Sequence, residues 1–181
     1  MKCRACDHFT IESTVIANVE YFTCGSCGEC TEIDLTPKSL EIEVLFRKGD
    51  ERTHESYSSN FIIDGIDLLN TLVESEYTHN DFLGCFARGW DKLNLHSKKQ
   101  LLLLEKAEMD SGRCLIYICP ECADVGCGAY GCHIEKDGDF YIWDNFAYEN
   151  GYEEPRIIEG VGPYRFKASE YKSAIEFANA L

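Results

Sequence analysis

Basic side chains are scarce in this sequence: 17 Lys and Arg residues stand against 32 Asp and Glu residues, for a formal net charge of −15. A protein that binds a nucleic-acid backbone needs cations to displace the counterions around the phosphates. The charge balance therefore argues against direct binding of nucleic acid and favours a basic partner, which an acidic surface attracts. Acidity also keeps many proteins soluble, and that simpler interpretation stays open.

Long apolar runs are also missing. One contender, Leu101 to Leu104, has only four leucines, whereas a membrane-spanning helix needs about 20 apolar residues. The first six residues lack the apolar core of a signal peptide. We therefore expect a cytoplasmic protein that does not enter a membrane. Its eleven cysteines would then stay reduced and serve as metal ligands, buried apolar side chains or reactive thiols.

Signatures of common enzyme classes are absent as well. The sequence has no G-x-x-x-x-G-K-[ST] phosphate loop, no H-E-x-x-H zinc motif and no G-x-S-x-G nucleophile turn. Residues 126–131 are glycine-rich, but a cysteine lies among the glycines and no basic residue accompanies them, so we interpret them as a turn. A cysteine nucleophile needs a neighbouring base, and the five histidines are scattered along the chain. The sequence therefore favours a non-catalytic protein.

Two C-x2-C pairs mark the N-terminal segment. Cys3 and Cys6 form the first pair, and Cys24 and Cys27 form the second pair after seventeen intervening residues. Two tight turns at this spacing can present four thiolates to one Zn²⁺ ion at about 2.3 Å. The intervening residues are rich in β-branched and aromatic side chains, as strands are. We therefore predict that residues 1–36 form a small domain around a structural Zn²⁺ ion.

This cysteine arrangement resembles the zinc-ribbon class over residues 1–35. The resemblance implies a structural metal ion and no particular activity. Cys30 and His8 lie beside the predicted ligands in the sequence, and we interpret both as non-ligands. A redox function of either pair would need a βαβ context, which the surrounding sequence does not predict.

The rest of the chain, residues 37–181, is predicted to form an α+β domain with a central antiparallel sheet and two or three helices. The predicted strands cover residues 40–47, 61–63, 114–119, 131–135, 140–144, 156–158 and 163–166. Asp64 is predicted to cap the first helix. Two further helices are predicted over residues 98–109 and 169–181. The polar residues 48–60 predict a surface loop. Several aromatic and apolar residues are assigned to the core, including Val44, Phe46, Phe82, Phe86 and Trp90.

An Asp-Gly pair at residues 137–138, between two β-prone segments, predicts a tight hairpin. With this pair as the loop, Cys132 would lie opposite Trp143 and Ile134 opposite Tyr141. These four side chains share one face of the hairpin, which we assign to the core.

A second cysteine cluster follows the predicted strand at 114–119. Cys119 and Cys122 form another C-x2-C pair, and Cys127 and Cys132 would complete a second metal site if the loop folds back. The alternative is that these cysteines are buried, reduced thiols. An open site at Cys119, Cys122 and Cys127 would instead define a metal- or thiol-dependent enzyme, which is the alternative to a non-catalytic protein.

Aromatic and acidic residues are interspersed from Glu135 to Glu159. Tyrosine and tryptophan often anchor protein interfaces, and surrounding carboxylates speed association with a basic partner. The alternative is that the aromatic residues belong to the core and the acidic residues form its solvated face. We assign Tyr141 and Trp143 to the core, and predict a partner-binding surface from the following residues: Asp144, Tyr148, Glu149, Tyr152 and Glu153.

The turn Gly126–Gly128, the segment Trp143–Phe146, and Gly162-Pro163 followed by Phe166 and Tyr171 resemble features of a group of uncharacterised bacterial proteins. The resemblance covers about the last 70 residues and implies no known activity. The acidic charge is similar to that of bacterial immunity proteins, which are small inhibitors that occlude a basic toxin, often a nuclease. By that analogy, the predicted partner is a basic toxin that this protein neutralises by occlusion.

Overall fold

The computed structural model describes residue 6 and residues 11–51, 54–76, 81–120 and 123–178. The chain divides into two compact units, residues 1–37 and residues 38–181. The described residues form three antiparallel sheets and three helices. The predicted α+β fold class is therefore confirmed.

The N-terminal unit contains one three-stranded antiparallel sheet. Its strands are β1 (Ile11–Ile16), β2 (Val19–Cys24) and β3 (Cys30–Asp34), with β2 in the middle. Ala17 and Asn18 connect β1 to β2 and both have positive φ values, 49° and 65°. This is the backbone conformation that the tightest hairpin turns require.

The C-terminal unit contains two sheets and three helices. The smaller sheet has three strands in the order of the chain: β4 (Leu40–Arg47), β5 (Ser56–Ile63) and β6 (Ile66–Asp67). The strands of the larger sheet are β7 (Leu83–Gly84), β8 (Cys114–Ile118), β9 (Ala129–Asp137), β10 (Phe140–Glu149), β11 (Arg156–Ile157) and β12 (Tyr164–Lys167). Their order is β11-β10-β9-β8-β7, and β12 pairs with β10. The helices are α1 (Leu68–Glu76), α2 (Asp91–Leu101) and α3 (Ala168–Ala178).

Aromatic side chains dominate the core of the C-terminal unit. Trp143 and Tyr171 are completely buried, and their polar atoms form a chain of hydrogen bonds. Trp143 Nε1 donates to Tyr171 Oη at 3.0 Å, and Tyr171 Oη donates to the carbonyl of Leu101 at 2.8 Å. These bonds join β10, α3 and the end of α2. They pair both the indole N–H of Trp143 and the hydroxyl of Tyr171.

We expect the substitution Tyr171→Phe to lower the free energy of unfolding of the C-terminal unit by about 1–3 kcal/mol, because the indole N–H of Trp143 would lose its acceptor inside the core. Urea denaturation followed by tryptophan fluorescence measures this loss. The matched control is Tyr152→Phe, which removes a hydroxyl from a side chain that is 85% exposed and should change stability by less than about 0.5 kcal/mol. Equal effects of the two substitutions would contradict the prediction.

Several predicted elements are confirmed. All five residues of β8 are buried, as expected for a strand covered on both faces. The apolar stripe of the last helix is also buried in α3, at Tyr171, Ile175 and Ala178. The two predicted edge strands correspond to β11 and β12. Phe82 and Phe86 lie in the core as predicted.

The predicted hairpin forms, but its register is shifted by two residues. Its loop is Gly138-Asp139, and Ile134 rather than Cys132 lies opposite Trp143. Because side chains alternate between faces, a shift of two residues leaves each side chain on its predicted face. Cys132, Tyr141 and Trp143 are accordingly buried.

The prediction of a surface loop over residues 48–60 is wrong at its C-terminal end, which forms the start of β5. Three polar residues there are buried: Ser58, Ser59 and Asn60. Ser58 Oγ accepts the N–H of Gly84 at 3.1 Å, and Asn60 Oδ1 accepts the hydroxyl proton of Tyr117 at 2.7 Å. Buried polar groups are tolerated when they are hydrogen-bonded, and the polarity of the segment does not reveal those partners.

The predicted helix cap is also wrong. Asp64 has φ +49° and forms a hairpin turn with Gly65 between β5 and β6. Asp67 caps α1 instead, because its Oδ1 accepts the N–H of Asn70 at 2.8 Å. Both aspartates precede an apolar helical pattern, so the sequence alone did not distinguish them.

The helix predicted over residues 98–109 begins earlier, at Asp91, and ends at Leu101. The residue before it, Trp90, is 49% exposed and is not a core residue. Val44 and Phe46 in β4 are also half-exposed, at 50% and 51%, although they continue the alternation of buried Leu40. The strand therefore extends beyond the part of the core that covers its first residues.

Candidate metal centre

Three cysteine side chains converge in the N-terminal unit. The Sγ atoms of Cys6, Cys24 and Cys27 all lie within 4.8 Å of one another, and those of Cys6 and Cys24 are 3.5 Å apart. Thiolates bound tetrahedrally to one Zn²⁺ ion lie about 3.8 Å apart. The group is therefore close enough to bind one metal ion. Cys3, the predicted fourth ligand, and His8 lie outside the described residues.

The turn after β2 positions two of these thiols. The carbonyl of Cys24 accepts the N–H of Gly28 at 2.8 Å, and the N–H of Cys24 donates to the carbonyl of Glu29 at 2.9 Å. Gly28 has φ +74°, a left-handed conformation that glycine adopts at little cost. These bonds close a tight turn that holds Cys24 and Cys27 in the same group.

Burial in the N-terminal unit is concentrated at the thiol group. Of the residues of this unit whose burial is described, only Cys24 is buried, at 3% exposure. Apolar side chains of the first hairpin are exposed instead, Val15 by 57% and Ile16 by 60%. Domains below about 40 residues rarely bury enough apolar surface to fold alone, and many depend on a metal ion or on disulfides.

Cys30 lies outside the thiol group. It is exposed and lies opposite Thr23 in the β2–β3 pair, with Thr23 Oγ1 3.9 Å from its Sγ. Successive residues of a strand point to opposite faces, so Thr23 and Cys24 lie on different faces of the sheet. Cys30 therefore lies on the face away from the thiol of Cys24.

Among the described cysteines of the second predicted site, Cys132 lies apart from Cys119. Cys119 follows the end of β8, and Cys127 lies in the turn that leads back into β9. Cys132 lies in β9 opposite Cys114, at the other end of β8, about 13 Å along the strand. Cys132 is therefore not a ligand of any site that includes Cys119. Cys122 lies outside the described residues.

The buried thiols of the C-terminal unit remain protonated. Burial raises the pKa of Cys114 to about 11. Burial, together with neighbouring thiols, also raises the pKa of Cys85 and of Cys132 well above the usual range. The thiolate is the form that attacks substrates and binds metals. These three cysteines therefore pack as small apolar side chains, as predicted for Cys85.

Two of the five predicted partner-binding residues are exposed to solvent. Tyr152 is 85% exposed, and Glu153 beside it is also exposed. Asn150 orders this turn, because its Oδ1 accepts the N–H groups of both residues at 3.0 Å. The same asparagine donates from Nδ2 to the Glu153 carboxylate at 3.3 Å.

The other three predicted partner-binding residues are half-buried or buried. Tyr148 is half-buried, and the guanidinium of Arg156 lies 4.6 Å from the centre of its ring. Asp144 is half-buried opposite His133. Glu149 is only 8% exposed and therefore does not offer its carboxylate to a partner.

Glu149 belongs to a buried polar network that the sequence did not predict. Arg113, which is 4% exposed, donates from Nη1 to Glu149 Oε1 at 3.1 Å. Its Nε and Nη2 donate to the carbonyl and the Oδ1 of Asn145 at 2.7 and 3.0 Å. Ser111 Oγ also donates to Glu149 Oε1, at 2.7 Å. Asn145 has φ +49° at a bulge of β10, which Arg113 thus holds in place.

His133 extends this network towards the surface. The Asn145 Nδ2 group donates to His133 Nδ1 at 3.1 Å, so the ring proton is on Nε2, which donates to the carbonyl of Ser111 at 3.1 Å. Arg113, His133 and Asn145 are thus engaged with one another or with the backbone. The network stabilises the bulge, and no sequence pattern marked it because its members are far apart in the chain.

The three helices have 9, 11 and 11 residues. Within the described part of the chain, none combines the length and the hydrophobicity of a membrane span. Comparisons with protein-family models, with curated proteins and with solved structures found no match to this chain.

Proposed function

We propose that this protein is a zinc-stabilised, non-catalytic protein that binds a basic protein partner. The zinc site comprises Cys6, Cys24 and Cys27, with Cys3 as the fourth ligand from the C-x2-C spacing, so that residues 1–37 act as a zinc ribbon. The observation that carries the zinc proposal is that Cys24 is the one buried residue among those of this unit whose burial is described, while Val15 and Ile16 of the first hairpin are exposed. Thiolate donors at these separations fit Zn²⁺, which prefers sulfur ligands in structural sites.

Native mass spectrometry of the full chain, purified under reducing conditions, tests the zinc proposal. We expect a bound Zn²⁺ ion that is retained in Cys30→Ser and lost in Cys24→Ser. Cys30→Ser is the matched control because it removes an exposed thiol outside the group. A Cys24→Ser protein that binds as many ions as the unsubstituted chain would reject the proposed site.

The partner-binding part of the proposal is supported by the exposure and order of Tyr152. An aromatic side chain that is 85% exposed has apolar surface that a partner can bury. Because Asn150 already holds the turn, binding would cost little additional conformational entropy. Exposed tyrosines in such positions are frequent centres of binding energy.

The charge around Tyr152 indicates a basic partner. Glu153 and Glu154 follow it in the same exposed segment. The chain as a whole carries a formal charge of −15. A carboxylate field of this kind accelerates association with a cationic surface and repels anionic ones. In its most specific form, the proposal is that the chain is an immunity-type inhibitor that occludes a basic toxin. The expected class of toxin is a nuclease.

We expect Tyr152→Ala to weaken binding of the partner by at least about 2 kcal/mol, roughly 30-fold in Kd, because it removes the exposed aromatic anchor. The partner is the basic protein that copurifies with the chain from its own host, and its Kd is measured by calorimetry with each variant. Leu104→Ala is the matched control, since Leu104 is 70% exposed but follows α2, away from this turn in sequence. The association rate should also fall as salt rises. Binding that is indifferent to salt and to Tyr152→Ala would contradict the proposal.

A further inference from the structure

The smaller sheet of the C-terminal unit has β4 at its edge. Among the described strands, only β5 pairs with β4, so the other edge of β4 has no strand beside it in the described part of the chain. We propose that this edge binds an extended, basic segment of a partner protein, which adds a strand to the sheet. In that segment, apolar residues alternate with Lys or Arg. The surface shares no residue with the turn at Tyr152 and goes beyond the function proposed above.

The backbone of β4 is suited to an added strand. In an antiparallel pair, every second residue directs its N–H and C=O groups to the neighbouring strand, and the residues between direct theirs outwards. Among the described residues, residues 40–46 form no backbone–backbone hydrogen bond outside the β4–β5 pair. An extended peptide would supply partners for the outward groups, which is how peptides bind at exposed sheet edges.

An open groove lies beside this edge, between β4 and α3. Its volume is about 680 Å³, and its lining includes Leu40, Glu41 and Ile42 of β4 together with Ala174 and Phe177 of α3. Successive residues of a strand point to opposite faces, so a groove that is lined by three successive residues reaches the edge itself. Phe177 is 59% exposed and offers apolar surface that a side chain of the added strand would bury.

The exposed side chains of β4 determine the sequence pattern of the segment. Ile42, Val44 and Phe46 alternate along one face, and the last two are 50% and 51% exposed. Glu41 and Glu43 lie on the opposite face and are exposed. Side chains of neighbouring strands contact each other when they share a face. An added strand would therefore place apolar residues beside the first set and cations beside the two carboxylates.

The charge at this edge favours a basic segment over a second copy of the chain. Neither Glu41 nor Glu43 lies opposite a basic residue of β5, and neither forms an ion pair with another described residue. The further carboxylate in the groove, Glu170, is paired with Lys167 at 3.3 Å. A second copy would bring the same two carboxylates to the edge and a formal charge of −15. Charged side chains on edge strands oppose such self-pairing.

Peptide binding to the full chain tests the proposal. The probe is a fluorescently labelled peptide of four Lys-Val repeats, which matches the eight residues of β4. It should bind saturably in an anisotropy titration. A peptide of the same composition with its lysines in one block, and a Glu-Val repeat, should each bind at least about 10-fold more weakly. The proposal is overturned if the Lys-Val repeat does not bind, or if the block peptide binds equally well.

Charge reversal at the edge tests which residues recognise the peptide. Glu41→Lys/Glu43→Lys should bind the Lys-Val repeat about 10-fold more weakly and the Glu-Val repeat more tightly than the unsubstituted chain does. The matched control is Glu74→Lys/Glu159→Lys, which makes the same change of charge at two exposed carboxylates outside β4 and should have little effect. Tyr152→Ala should leave peptide binding unchanged, so that failure of either surface is seen separately. Equal losses in the two double variants would reject the edge as the binding site.

Hydrogen exchange locates the bound peptide on the unsubstituted chain. The amides of β4 that point away from β5 should exchange at least about 10-fold more slowly with the Lys-Val repeat bound, because they gain hydrogen-bond acceptors, while exchange in α1 should not change. Binding without added protection in β4 would overturn strand addition. Protection of β4 that rises with protein concentration in the absence of peptide would also overturn the proposal, because it would assign the edge to a second copy.

Discussion

Replacing Cys24 with serine is expected to unfold the N-terminal unit while the C-terminal unit remains folded. The structural binding of Zn²⁺ by thiolates contributes about 10–16 kcal/mol in small zinc domains at neutral pH. The described residues of the N-terminal unit offer no buried apolar cluster that could replace this contribution, whereas residues 38–181 have a large one. Cys24→Ser should therefore unfold the hairpins of the N-terminal unit completely and change the stability of residues 38–181 only slightly.

Hydrogen exchange of the full chain measures this effect, because it reports on each segment separately. Amides of residues 11–34 should exchange at the rate of an unfolded chain in Cys24→Ser, and also in the unsubstituted protein after chelation. Amides of β8 should stay protected in both cases. Cys30→Ser should retain protection throughout, and protected hairpins in metal-free Cys24→Ser would show that the unit folds without a metal ion.

Replacing Arg113 with methionine is expected to lower the free energy of unfolding of the C-terminal unit by about 3–5 kcal/mol. The substitution would leave the Glu149 carboxylate buried without its cationic partner, and would also remove two bonds that hold Asn145 in its bulge. Removing one partner of a buried ion pair destabilises the protein by more than the intact pair stabilises it. The reason is that the remaining charge stays buried away from water.

Urea denaturation of matched variants separates these contributions. Lys98→Met removes a surface ion pair with Glu176 and should cost less than about 1 kcal/mol. The double variant Arg113→Met/Glu149→Leu should recover part of the lost stability, since it replaces both charges with apolar groups. If Arg113→Met were no more destabilising than Lys98→Met, the network would not hold the bulge.

The local patterns of the sequence predicted those elements whose environment changes little along their length. β8 is uniformly buried and α3 has one continuous apolar face, so periodicity was sufficient for both. The C-x2-C spacing similarly predicted a metal-binding group, since it depends on short turns, and three of the predicted ligands do converge: Cys6, Cys24 and Cys27.

The predictions that differ from the structure involve residues whose partners are distant in the chain. Ser58 was assigned to a loop for its polarity, but its hydroxyl binds the backbone of β7. Glu149 was assigned to the surface for its charge, but Arg113 pairs with it inside the protein. Cys132 was grouped with Cys119 because they are close in sequence, although the antiparallel pairing of β8 and β9 places them at opposite ends of a strand.

By itself, the sequence determined the α+β class, the faces of the central hairpin, the apolar stripe of the last helix and the cysteine turn at residues 24–27. These features depend on side-chain periodicity and on contacts between near neighbours. Only the tertiary structure decided which polar residues are buried, which cysteines are accessible and which acidic residues face solvent. Those outcomes depend on hydrogen bonds and packing between segments far apart in the chain, and local residue patterns do not encode the identity of such partners.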